Sequence, residues 1–126
     1  MKINKFEDIL SWQKGRELTK SIYKLTKSKG FRKDLSLCNQ VQKASVSVMA
    51  NIAEGFDRQT RKEFSQFLKY ASASASEVQS HLYVALDQGY ISEREFYEAY
   101  DKAKETKMLI NGFISYLKGN KKNKIF

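Results

Sequence analysis

Leu37, Val41, Ala44, Val48 and Ile52 stand at alternating steps of four and three. That spacing lines one face of a helix with 3.6 residues per turn. Comparable periodicity recurs in three other segments: Leu18, Ile22 and Leu25 before it, then Phe64, Phe67, Leu68, Ala71, Val78, Leu82 and Ala85, then Phe96, Ala99, Ala103, Ile110, Ile114 and Leu117. Proline, which would break such segments, is absent, and glycine occurs six times. The spacing predicts helices over about 6–28, 34–55, 60–88 and 92–118, followed by a basic tail, 119–126. Asp34 is placed to cap the second helix. Thr60 with Glu63, and Ser92 with Glu95, have the form of capping boxes. Lys29 and Gly30, Gly55 and Gly89 are read as the stops. Short connections force neighbouring helices to run antiparallel, so the expected fold is a single all-α domain, an antiparallel up-down-up-down four-helix bundle.

Apolar residues make up 41% of the chain and are spread throughout it, which argues against disorder. No apolar run nears the roughly 20 residues of a bilayer span, and the first residues lack an apolar signal core. The expected location is cytoplasmic, with no membrane role. Cys38 is the only cysteine, so it cannot form an internal disulfide, and it is expected to be a small buried residue.

The net charge of +9 is uneven: residues 1–33 carry ten Lys/Arg against three acids, whereas residues 34–90 are nearly neutral. On the first helix Arg16, Lys20, Lys24 and Lys27 fall within about 80° of one another, a row about 16 Å long. Lys29, Arg32 and Lys33 extend it. Leu18, Ile22 and Leu25 lie opposite. A cationic row of that length suits a phosphate backbone, and lysine favours loose phosphate contact over base reading. A solvated lysine face is the plainer alternative.

The string NIAEG, Asn51 to Gly55, stands between FEDILSWQKGRELTKSIYKLT upstream and RKEFSQFLKYASASASEVQSHLYVALDQGYIS downstream. Trp12-Gln13, Glu17-Leu18, Ile22-Tyr23, Arg58, Phe64, Phe67-Leu68, Ser74, Glu77 and Gly89-Tyr90-Ile91 complete the pattern. Over nearly all of residues 6–118 it resembles the four-helix bundle family named for proteins encoded in 23S ribosomal RNA intervening sequences. The accessory variability determinant proteins of diversity-generating retroelements are related to it. The resemblance implies a ring-shaped homopentamer without established catalysis. For the retroelement relatives it implies a positive ring that binds RNA and a reverse transcriptase. The chain has Met49 where the family often has proline, Gln42-Lys43 for an arginine pair, and Phe31-Arg32 for Phe-Pro.

Asn51 and Glu54 share a helix face, and Ser74 and Glu77 share another on the third helix. With Gly55, and with Arg58 as a counter-ion for Glu54, they are expected to form a structural polar motif, each patch satisfying the other. A ligand or metal site built from Asn51, Glu54, Glu77 and His81 is the alternative. His81 is the only histidine, and two ligands, Glu77 and His81, make a poor site without a third. No arginine precedes His81 at the spacing of small helical ribonucleases, and no phosphate loop or nucleophile–base pair is recognisable. The expectation is no catalytic residue, no metal and no cofactor. On the fourth helix Leu109, Phe113 and Tyr116 form a second apolar stripe, wider than one core face requires, and are expected at an oligomer interface. Two functions stand against each other: an oligomeric bundle binding RNA or an RNA–protein complex through its basic surface, and a protein-binding adaptor or scaffold with no nucleic-acid role.

Overall fold

The computed structural model describes residues 2–119, so most of the basic tail lies outside the described residues. Among the described residues there are four α-helices: α1 (Leu10–Thr26), α2 (Leu35–Phe56), α3 (Arg61–Asp87) and α4 (Glu93–Leu117). The starts of α2, α3 and α4 are capped by side chains, whereas α1 follows Ile9 without a side-chain cap. Asp34 accepts from the Leu37 N–H at 3.0 Å, and Thr60 from that of Glu63 at 3.1 Å. At Ser92 the box closes both ways: the hydroxyl accepts from the Glu95 N–H, and the Glu95 carboxylate from the Ser92 N–H. Helix α1 packs on α2 and α4, and α3 on the same two, which makes a square with short antiparallel connections.

Two expectations about the ends are corrected. The first helix is not continuous from residue 6: a 3-10 turn at Phe6–Asp8 is separated from α1 by Ile9, whose backbone is extended. The Asp8 carboxylate accepts from the Asn4 and Lys5 N–H groups and closes that turn. Ile9 is thereby buried, and the Phe6 ring lies edge-on to Trp12 at 5.1 Å. Gly55 is not a stop either. Helix α2 continues through it to Phe56, and its φ is not positive, unlike that of Gly89 at +72°. A Cβ on Gly55 would stand 2.8 Å from Phe67 Cβ and 2.9 Å from Phe64 Cδ1. This glycine lets α2 and α3 meet.

The core has two halves. Leu18, Ile22, Phe31, Val41, Leu82 and Phe96 fill one end, and Ile9, Val48, Ile52, Leu68, Ile110 and Phe113 the other. Small residues lie along the helices between them. Thr19 donates to the Gly15 carbonyl at 2.8 Å and stands 3.1 Å from that of Ser45, joining α1 to α2.

Candidate nucleic-acid interface

Leu18 and Ile22 are buried, so the opposite face of α1 is solvent-facing, and Arg16, Lys20, Lys24 and Lys27 are all exposed. Lys29, Arg32 and Lys33 are exposed too. Phe31 sets the last two: its ring is 1% exposed and stacks on Tyr90 at 5.5 Å, which turns its neighbours outward. Tyr90 in turn donates to Asp34 at 3.0 Å. That bond, then burial and the charge of Asp34, raises the phenol above its ordinary pKa.

The stripe borders the seam between α1 and α4. There a groove of about 460 Å³ is lined by Lys24, Lys27 and Lys102, with Glu95 and Glu98 on the far wall. Beside it a shallower depression of about 480 Å³ gathers Lys20, Lys24, Lys27 and Lys102 around Glu17. Lys102 belongs to the site although α1 alone could not reveal it; its ammonium donates to the Ser21 hydroxyl at 2.7 Å. Its position outside both apolar stripes of α4 was the available signal.

The nearby carboxylates have other partners. Glu17 pairs with Lys14 at 3.7 Å, and Glu98 with Arg94 at 3.3 Å. Glu95 holds the start of α4. The remaining ion pair among the described residues joins Lys14 to Glu105, so none uses the seven stripe cations. An anion is drawn to these cations over roughly one Debye length, about 8 Å in physiological salt.

The polar motif is only partly assembled. Asn51 donates to both the carbonyl and the hydroxyl of Ser47, each at 2.9 Å, and the Ser47 and Ser74 hydroxyls meet at 3.0 Å across α2 and α3. Glu54 is exposed. Arg58 is not its counter-ion: the guanidinium lies over the Phe67 ring, 4.5 Å from the centroid. Glu77 and His81 line an open cleft of about 300 Å³ with Gln40 and Lys43. No group of three His, Cys, Asp or Glu residues among the described residues could hold a metal ion.

Phe113 is 3% exposed within the single chain and packs edge-on against Phe64 at 5.0 Å. It belongs to the core, because α4 turns this stripe towards α3 rather than outwards. Leu109 and Tyr116 are half-buried. The exposed large apolar residues of α3 and α4 are Tyr70, Tyr83, Val84, Tyr97 and Met108, none of which belongs to the apolar stripes picked out by spacing. Cys38 is buried, its thiol 3.1 Å from the Phe31 carbonyl, and burial and the charge of Asp34 push its pKa up. No helix among the described residues is long and apolar enough to cross a membrane.

The family model described as 23S rRNA-intervening sequence protein matches residues 7–112. Among solved structures, the chain is similar to a protein with unknown function from the S23 ribosomal protein family of Bacteroides thetaiotaomicron. The TM-score is 0.76 with 23% sequence identity, over 83% of this chain and 98% of that one. At that identity the likeness speaks for the fold. No curated protein matches.

Proposed function

The chain belongs to the 23S rRNA-intervening sequence protein family, and from that premise we propose that it is a non-enzymatic, homo-oligomeric bundle that binds RNA, or an RNA–protein complex, through its basic face. The observation that carries this reading is the α1–α4 seam. Lys20, Lys24 and Lys27 face it from α1, Lys102 joins them from α4, and the neighbouring carboxylates are engaged elsewhere. Arg16, Lys29, Arg32 and Lys33 continue the positive surface along the bundle. Flexible ammonium groups around an open groove suit phosphates better than base edges, so the contact is with the backbone and little affected by sequence. Homopentameric assembly, as the resemblance implies, would repeat the stripe around a ring and strengthen its field.

Replacing Lys20, Lys24 and Lys27 together with Glu tests this. On single-stranded RNA each phosphate contact contributes about 0.7 to the slope of log K against log salt. The triple variant is therefore expected to flatten that slope by about 2 and to lower low-salt affinity about tenfold or more, with helicity and assembly size unchanged. Wild-type affinity in the triple variant would rule out the stripe.

A protein-binding adaptor or scaffold is the second reading, favoured by the exposed side chains of Tyr83, Tyr97 and Met108, which are 50%, 59% and 65% accessible. Light scattering separates the two. Under the first reading an oligomer gains RNA mass from a cellular RNA pool at low salt and loses it at high salt. Under the second its mass is indifferent to RNA.

A further inference from the structure

Resting on the RNA reading, we propose a second phosphate-binding site, at the opposite end of the bundle, formed by Arg58 and Arg61. Lys27, Lys29, Arg32 and Lys33 stand where α1 ends and α2 begins. Arg58 and Arg61 stand where α2 ends, α3 begins and α4 ends. The 22 residues of α2 set the two ends about 33 Å apart along the axis.

Each of the two guanidiniums lies on an aromatic ring. Arg58 is over Phe67 at 4.5 Å and Arg61 over Tyr116 at 5.9 Å. Both side chains are exposed, and neither enters any ion pair among the described residues. A guanidinium seated on a ring has lost much of its rotamer freedom before any ligand arrives. Its N–H edge remains open and matches two phosphate oxygens at once. The support beneath is firm. Gly55 allows α2 to press onto Phe64 and Phe67, which places the loop residue Arg58 above the second ring.

The charge placement points the same way. Arg61 and Lys62 occupy the first turn of α3, where the helix dipole disfavours cations. Of the nearby acids, Glu63 is held by the Thr60 hydroxyl at 3.2 Å, and Asp57 and Glu54 are exposed. A phosphodiester would add negative charge beside Arg61 and Lys62, as Glu63 already does in the same turn.

The test is fluorescence anisotropy of labelled oligouridine against salt, for wild type, Arg58→Gln/Arg61→Gln, Arg58→Lys/Arg61→Lys, and the same-charge control Lys69→Gln/Lys104→Gln. The expected result is that the Gln pair lowers the salt slope by about 1.4, at about 0.7 per lost contact. The Lys pair should retain that slope at reduced affinity, and the control should fall less than the Gln pair. On the wild-type protein, RNA should protect Arg58 and Arg61 from phenylglyoxal, a readout independent of how the variants fold. If the Gln pair binds like wild type, or the control loses as much, the end site is overturned while the α1 stripe survives. Unprotected Arg58 and Arg61 overturn it too. Wild type that binds no RNA at any salt overturns both sites.

Discussion

The seam between α2 and α3 and the seam between α1 and α4 join antiparallel helices of one chain, yet they are built by opposite means. Along α2–α3, small and uncharged residues let the backbones close in: Gly55 against Phe67, and Ser47 hydroxyl to Ser74 hydroxyl at 3.0 Å. Along α1–α4, long charged side chains hold the helices across an open groove, with Lys14 to Glu105 at 3.5 Å and Lys102 to Ser21 at 2.7 Å. The closed seam brings two backbones into close approach, so added bulk is felt there. The open one leaves cations facing solvent and has little to lose when they are changed. A fold can thus hold a chemically demanding surface on the side where packing asks least of it.

Gly55→Val should disturb the closed seam most. Its Cβ would fall 2.8 Å from Phe67 Cβ, which forces α2 and α3 apart at a cost of about 3 kcal/mol by the usual scale of overpacking. A melting temperature equal to wild type would show that close approach is dispensable. Asn51→Leu removes both hydrogen bonds to Ser47 and should cost about 1 kcal/mol, read by chemical denaturation. No loss would mean that these bonds within α2 add nothing to the Ser47–Ser74 contact across the seam. Charge reversal of Lys20, Lys24 and Lys27 on the open seam should change stability by no more than about 0.5 kcal/mol, while RNA affinity falls. Loss of the fold would erase the contrast between the seams.

Tyr90, tying the α3–α4 turn to Asp34, should give the smallest effect. Its folded pKa is raised, so the neutral phenol is the form the fold favours. The stabilisation is fully present below the unfolded-state pKa of about 10 and is lost as pH rises above it. The gap in melting temperature between wild type and Tyr90→Phe should therefore hold below about pH 10 and narrow as pH rises above it. A constant gap would separate the bond from the titration.

Local signals determined a good deal. Asp34, Thr60 and Ser92 cap because each side chain reaches an N–H three residues on, and the steps of four and three decide which face of each helix is apolar. The exposure of the α1 stripe followed from Leu18 and Ile22 on the other face. Family membership lay in the strings around Asn51–Gly55.

What those signals could not hold were facts that depend on a second helix. Gly55 looks the same in sequence whether it ends a helix or admits a neighbour; the approach of Phe67 decides. Arg58 lies one helical turn beyond Glu54, but the ring on α3 holds it instead. Phe113 reads as surplus apolar surface until Phe64 covers it. Lys102 is an ordinary lysine until antiparallel packing sets it beside Ser21. Periodicity reports the direction a side chain takes from its own axis. What it meets there is settled only when the helices are brought together.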